Sequence, residues 1–169
     1  MLLPPIPVSN YATLLAGEAV ARRIKRYAPV SAATGRDTRF KGSGAFVLTD
    51  DVKWSQVWDR HIENEAVGNV GGVRNLNPAP NVDFEANLVV VLLPGPTPGV
   101  VGYRVVNGFI VGKQATLRLA PILANDSTTK VAVPAPWVFL VLPRTPATVK
   151  IELLGRSGYE IVATVPPSL

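Results

Sequence analysis

The sequence predicts a mainly β domain of the α+β class. It should be an antiparallel β-sandwich or barrel-like fold with one amphipathic helix and an extended, Pro-rich N-terminal arm. Three observations predict this. From residue 87 onward, seven short segments rich in Val, Ile and Thr are separated by Gly, Pro or Asn, as is typical of strands and turns. Residues 50–66 have helical periodicity instead. Pro4, Pro5 and Pro7 favour an extended, polyproline-like start of the chain.

The predicted strands differ in how deeply they should be buried. Asn87–Leu93 is apolar at every position after its first residue, so we expect a central strand that is covered on both faces. Lys150, Glu152 and Glu160 place polar side chains in the last strands, as in an antiparallel sheet with one exposed face. The sequence LLGRSGYE at residues 153–160 predicts a hairpin between those last strands.

The remaining β-structure is predicted from the same alternation of apolar runs and turn residues. Residues 45–48 should form a strand, and residues 31–44, which contain three glycines, are interpreted as a loop or hairpin. The strands predicted from residue 87 onward are Asn87–Leu93, Gly102–Asn107, Gln114–Leu119, Val131–Val133, Trp137–Leu142, Thr148–Leu153 and Tyr159–Val165.

The helix is predicted at residues 50–66, where Thr49 is the expected N-cap and acidic residues follow at the positive end of the helix dipole. One apolar stripe should pack on the core; it consists of Trp54, Val57, Trp58, His61 and Ile62. Two Trp one turn apart can form a stacking platform, but on an amphipathic helix such a pair is more often core. Residues 12–27 also fit a helix, although Gly17 weakens that prediction and leaves a strand as the alternative.

Charge divides the chain into two predicted parts: an extended basic arm at residues 1–30, with room for a short helix, and one β-rich domain at residues 31–169. The net charge of +5 lies entirely in residues 1–48, where seven basic residues face Glu18 and Asp37. Such a region favours an acidic partner surface, although a solvated basic face is the simpler alternative. Nucleic acid is a less favoured partner because few aromatic rings, such as Tyr27 and Phe40, are interleaved with these basic residues.

The residue inventory argues against most kinds of catalysis, and we expect no enzyme, metal or cofactor. The chain has no Cys and one His, which removes thiolate catalysis and leaves almost no ligands for zinc or iron. His61 is interpreted as a structural residue, and Asp83 as the cap of a turn. The stretch LPGPTPGVVGY, residues 93–103, lacks both the phosphate-binding and the dinucleotide-binding patterns.

No membrane association is expected, because the longest apolar run, Leu88–Leu93, has the length of a strand. The first residues lack the basic and apolar regions of a signal peptide. The expected location is therefore a virion or the cytoplasm, or outside the cell if a signal has been removed.

The order of several motifs resembles the C-terminal domain of the PrcB family, named for a subunit of a bacterial surface protease complex. The helix opens with TDDVKWSQVW, Asp83-Phe84 precedes an apolar strand in NVDFEANLVVVLLPG, a Pro/Gly loop ends in Gly102-Tyr103, and PAPWVFLVLPR follows at residues 134–144. The similar region covers roughly residues 45–145. Val101 stands where the family has a Gly. The resemblance implies a non-enzymatic domain that forms complexes.

These observations predict a non-catalytic structural or assembly protein that is held in a larger complex, as a homo-oligomer or with other subunits, through its arm and β-domain. A capsid-decorating or tail protein of a virion fits this prediction. The alternatives are a PrcB-like subunit that helps to assemble a protease, and a ligand or inhibitor module that uses the loop at residues 95–103 with Trp137 nearby. The candidate interaction residues are Pro4, Pro5, Pro7, Arg22, Arg23, Lys25, Arg26, Pro96, Pro98, Tyr103 and Trp137.

Overall fold

A computed structural model of the chain describes residues 24–36, 38, 42–62, 79–125 and 133–168. The described elements are, in chain order, β1 (Lys25–Arg26), β2 (Ser31–Gly35), β3 (Gly44–Leu48), α1 (Asp51–Val57), a π-helical turn (Trp58–Ile62), β4 (Asn87–Leu93), β5 (Val100–Val111), β6 (Gln114–Leu123), β7 (Trp137–Pro143), β8 (Thr148–Gly155) and β9 (Gly158–Val165).

The strands form two sheets that face each other and do not close into a barrel. The five-stranded sheet has the order β1-β5-β6-β8-β9, and the four-stranded sheet has the order β2-β7-β4-β3. Among the described strands, β6 and β8 form the parallel pair and the other neighbours are antiparallel. The predicted fold class, a mainly β sandwich with one helix, is confirmed.

The central strands of the four-stranded sheet, β4 and β7, are buried on both faces, because their side chains alternate between two apolar clusters. One cluster fills the space between the sheets and includes Leu88, Val90 and Leu92 of β4. The other lies between the four-stranded sheet and α1, and includes Val89 and Val91 of the same strand. The layers are therefore the five-stranded sheet, the four-stranded sheet and the helix, and the prediction that Asn87–Leu93 is a doubly buried central strand is confirmed.

The helix lies within the predicted range, but it begins one residue later than its expected cap implied, and its α-helical part ends at Val57, where the π-helical turn follows. Asp50, and not Thr49, is the N-cap, since its carboxylate accepts a hydrogen bond of 2.9 Å from the Lys53 N–H. A carboxylate also interacts with the helix dipole, which a hydroxyl does not. Trp54 is completely buried and its Nε1 donates to the Pro80 carbonyl at 2.8 Å, so the interpretation of this Trp as core is confirmed.

Most of the other strands occur where the sequence predicts them, and several are longer. The segment at residues 31–35, expected in a loop or hairpin, forms β2 because it pairs along its whole length with β7. Residues 24–27 are not helical, since Lys25 and Arg26 pair with β5 ahead of the predicted domain boundary at residue 31. Val133 lies outside any strand. The predictions for residues 1–23, 63–66 and 131–132 fall outside the described part of the chain.

Two predicted turns are confirmed in detail. Asp83 caps its own turn, because its Oδ1 accepts from the Glu85 N–H at 3.0 Å. The hairpin at residues 153–160 joins β8 to β9 and turns at Arg156 and Ser157. No helix in the described ranges is long and apolar enough to cross a membrane.

Candidate functional site

A cavity of about 790 Å³ lies between the two sheets at one end of the sandwich. Six parts of the chain meet there: the ends of β4 and β6, the starts of β3 and β5, the β8–β9 hairpin and the loop after β4. Apolar residues form most of the wall, namely Leu92, Leu93, Pro94, Pro98, Val100, Pro121, Leu123, Leu153, Leu154 and Val162. The size and the apolar lining are typical of sites that bind small molecules or inserted side chains.

The loop at residues 94–99 borders this cavity because the chain crosses there from the four-stranded to the five-stranded sheet. Gly95 has a φ of +88°, a left-handed conformation that favours glycine. Thr97 holds the loop in place: its N–H donates to the Pro134 carbonyl at 2.8 Å, and its hydroxyl donates to the Gly95 carbonyl at 3.0 Å. At the other end of the loop, the Ala124 N–H donates to the Gly99 carbonyl at 2.9 Å. The loop is therefore tied to both neighbouring segments.

Thr34 joins the two sheets beside the cavity. Its hydroxyl donates to the Trp137 carbonyl at 2.6 Å and accepts from the Tyr103 N–H at 3.0 Å. Gly102 allows this approach, because a Cβ at that position would lie 2.8 Å from the Thr34 Oγ1. The Gly102-Tyr103 pair thus has a structural reason: the first residue leaves room for the threonine and the second donates to it.

The polar groups of the cavity are few. Tyr103 is buried, with 7% of its surface exposed, and burial raises the pKa of its phenol while a side-chain hydrogen bond with Thr97 acts in the opposite direction. Arg156 and Glu160 supply one positive and one negative side chain from the β8–β9 hairpin, and both residues are exposed. This arrangement suits a mainly apolar ligand that carries a polar or charged group at one end.

The structure brings together some of the predicted interaction residues and separates others. Pro98 and Tyr103 line the cavity, and Pro96 is exposed on the same loop. Trp137 was expected near the loop, but only its carbonyl is close, through Thr34. Its indole lies on the opposite face of the four-stranded sheet. There the ring stacks on Phe139 at 6.0 Å, and its Nε1 is buried without a hydrogen-bond partner among the described residues.

The remaining candidates belong to the basic N-terminal quarter. Lys25 and Arg26 are exposed on β1, at the edge of the five-stranded sheet. Pro4, Pro5, Pro7, Arg22 and Arg23 lie outside the described residues.

Charge is sorted by layer, which the order of residues in the chain does not reveal. Within the described ranges, the five-stranded sheet and its tight turns contain seven basic residues and two acidic ones. The described residues of the four-stranded sheet, α1 and their connections include four basic and five acidic residues. The basic strand β1 is thus part of a larger basic layer, although residues 49–169 are neutral as a sequence segment.

The outer face of the five-stranded sheet has an ordered polar centre. The Arg118 Nε donates to the Glu152 Oε2 at 2.8 Å, and the guanidinium lies 4.7 Å from the Tyr159 ring and 5.5 Å from the Phe109 ring. Because these rings already contact Arg118, their stacking capacity is partly used within the sheet. Across the described part of the chain, no group of three or more His, Asp or Glu residues is arranged to hold a metal ion.

Sequence reasoning found the loop but not the cavity beside it. The lining residues are spread over six segments of the chain. The signal for a site in the sequence is the loop at residues 94–99, with its three prolines and two glycines. Comparison of the chain with protein-family models, curated proteins and solved structures finds no match. The resemblance to the PrcB family therefore stays a prediction.

Proposed function

We propose that this protein is a non-catalytic binding domain that works within a larger protein assembly. The cavity between the sheets is the site that receives an apolar segment of a partner. The single observation that carries the proposal is the open, apolar end of the inter-sheet space, about 790 Å³ in volume, beside a loop that is fixed by hydrogen bonds. A virion component and a PrcB-like protease subunit are both versions of this proposal, since each needs a binding site rather than a reaction centre.

Preorganisation supports a binding role. A site whose walls are already ordered loses less conformational entropy on binding than one that must fold around its partner. The cavity wall belongs mainly to strands, and its loop contains Pro94, Pro96 and Pro98, whose fixed φ angles reduce the freedom of the free state. Thr34 adds a link between the sheets at the same end. The geometry thus favours a cavity that is present before its occupant arrives.

The lining chemistry supports binding through apolar contact with limited polar recognition. Burial of apolar surface contributes about 25 cal/mol per Å², so a few inserted aliphatic side chains provide several kcal/mol. Arg156 and Glu160 at the hairpin can orient a polar backbone or a charged end group.

A fluorescent apolar probe with one sulfonate, 1-anilinonaphthalene-8-sulfonate, tests the proposal on the full chain. With dilute native protein and excess probe, we expect saturable binding at one site. Val162→Asp should weaken this binding roughly tenfold or more, because it places a carboxylate in the apolar wall. Val162 is 41% exposed, so the substitution should leave the fold intact, which circular dichroism checks.

Ile161→Asp is the matched control. It adds the same charge to the neighbouring residue of β9, which is 55% exposed and does not line the cavity. The proposal predicts that this variant binds the probe like the unmodified protein. Equal binding by all three proteins, or no saturable binding by any of them, would reject the cavity as a binding site.

A further inference from the structure

We propose that the outer face of the five-stranded sheet is a second interaction surface, which binds an acidic surface of a partner protein. This face is separate from the cavity, which lies between the sheets, so the inference goes beyond the proposed function and does not depend on it. Three observations carry it: the register that gathers basic residues on the face, their lack of ion-pair partners among the described residues, and the aromatic and apolar side chains between them.

Strand register brings basic residues from distant parts of the chain onto this face. One row of register partners crosses β1, β5, β6 and β8 and consists of Arg26, Phe109, Thr116 and Lys150. Successive side chains of a strand point to opposite faces, and chain neighbours of this row such as Tyr27 and Ile110 pack in the inter-sheet core. The row therefore faces outward. Arg104 also faces outward, because Tyr103 and Val105 on either side of it pack in that core.

The positive charges of the face are mostly uncompensated. Arg118 is paired with Glu152, at 2.8 Å between Nε and Oε2. Arg26, Arg104 and Lys150 make no ion pair with any residue in the described ranges. Three strand spacings, or about 14 Å, separate Arg26 from Lys150, which places both within the area of a single protein interface. Like charges gathered on one face repel one another, and an acidic partner surface relieves that repulsion.

The composition of the face favours a protein partner over nucleic acid. The Arg118 guanidinium lies over the Phe109 and Tyr159 rings, and Ile161, opposite Glu152 in the register, is 55% exposed. An ordered Arg beside aromatic rings and an exposed aliphatic side chain, with unpaired charges around them, matches the aromatic and Arg centre and the polar rim of protein interfaces. Single-stranded nucleic acid needs ring faces for stacking, and both rings already contact Arg118.

Fluorescence anisotropy of a labelled peptide tests the proposal on the full chain. The probe is a peptide of alternating Glu and Leu, and a peptide with Gln in place of each Glu is its neutral control. At low ionic strength we expect the acidic peptide to saturate the protein and to bind at least about tenfold more tightly than the neutral one. Added salt should weaken its binding, because the charges of the face are exposed to screening.

Two charge-reversal variants locate the binding. Arg104→Glu with Lys150→Glu should weaken binding of the acidic peptide at least about tenfold, because two attractive charges become repulsive. Lys53→Glu with Arg60→Glu is the matched control, since it changes the net charge equally at exposed residues of α1 and its π-helical turn. The helix layer packs on the other side of the four-stranded sheet, so this variant should bind within about twofold of the unmodified protein. Circular dichroism checks that both variants are folded.

Three results would overturn the inference. The first is no saturable binding of the acidic peptide at low ionic strength, which would make the face a solvated basic surface. The second is an equal loss of affinity in the two variants, since binding would then follow net charge and not this face. The third is tighter binding of single-stranded oligothymidylate than of the peptide, abolished in the Arg104→Glu/Lys150→Glu variant, which would assign the face to nucleic acid. Both variants should still bind 1-anilinonaphthalene-8-sulfonate at the cavity, so the two proposals can fail separately.

Discussion

Thr34→Val should uncouple the two sheets at the cavity end while preserving the shape of the side chain. Valine is nearly isosteric with threonine but neither donates nor accepts a hydrogen bond. The substitution removes the 2.6 Å bond to the Trp137 carbonyl and the 3.0 Å bond from the Tyr103 N–H. Trp137 and Tyr103 are both buried, so their backbone groups lose a partner where water has little access.

The expected loss follows from those two groups. An unsatisfied buried N–H costs about 1–3 kcal/mol, and the lost bond to the carbonyl contributes about 0.5–1.5 kcal/mol. Because Thr34 itself is only half-buried, we take the lower part of these ranges and expect a decrease of about 2–3 kcal/mol in the free energy of unfolding. In a domain of this size that corresponds to a fall of roughly 4–12 °C in Tm.

Urea denaturation followed by circular dichroism measures this change, with Thr34→Ser as the matched control that keeps the hydroxyl. The serine variant should lose less than half as much stability, because it retains both hydrogen bonds and deletes one methyl group. A valine variant within about 0.5 kcal/mol of the unmodified protein would refute the assignment of Thr34 as a link between the sheets. So would serine and valine variants of equal stability.

Three further perturbations test other parts of the structure. Gly102→Ala should cost about 1–3 kcal/mol in urea unfolding because the new Cβ would lie 2.8 Å from Thr34 Oγ1, and pairing it with Thr34→Ser should not relieve the clash. Trp54→Ala should cost about 3–5 kcal/mol and weaken near-ultraviolet circular dichroism, since a completely buried ring and its hydrogen bond to Pro80 are lost. Burial raises the pKa of Tyr27 from 10.0 to about 12, so the neutral phenol stabilises the fold. That stability is complete below pH 10 and is lost as pH rises towards 12, by about 1–2 kcal/mol after allowance for solvent screening. Tyr27→Phe should reduce the loss between pH 9 and 11.5 by this amount in urea titrations, while Tyr103, whose pKa is also raised, keeps its own share.

The sequence predicts β4, α1 and the last hairpin well, because each has a strong local signal. Asn87–Leu93 is apolar on both faces, and such a segment is stable only at the centre of a sheet with packing on each side. The hairpin has glycines that bound its two-residue turn. The sequence does not decide the N-cap of α1, because adjacent Thr49 and Asp50 both suit that position. Only the backbone conformation distinguishes them.

β2 was not predicted because its stability comes from a distant partner. Its sequence, SAATG, has small side chains and a weak preference for strands. Pairing with the whole of β7, more than 100 residues later, overrides that weak preference. The same distance explains why Thr34 was not singled out: its two hydrogen-bond partners follow it by 69 and 103 residues.

The cavity and the charge layers could not be predicted without assigning each strand to a sheet. The loop after β4 has the composition of a turn between neighbours, but it crosses between sheets, and that crossing opens the space beside it. Likewise, Arg104, Arg118 and Lys150 are far apart in the chain and share a layer only because β5, β6 and β8 are neighbours. Sequence position alone placed the basic surplus in residues 1–48.

The two ends of the inter-sheet core differ in how they are filled. At one end Tyr27 fills the space: it is 5% exposed, and its hydroxyl lies 3.4 Å from the Pro143 carbonyl, to which it donates. At the other end the corresponding space is open and apolar. Tyr27 follows β1 directly and its N–H donates to the Gly108 carbonyl at 3.0 Å, so pairing with β5 holds the ring at the closed end. The inter-sheet space is thus sealed at one end by Tyr27 and accessible at the other, which leaves the cavity end as the place where an occupant can enter.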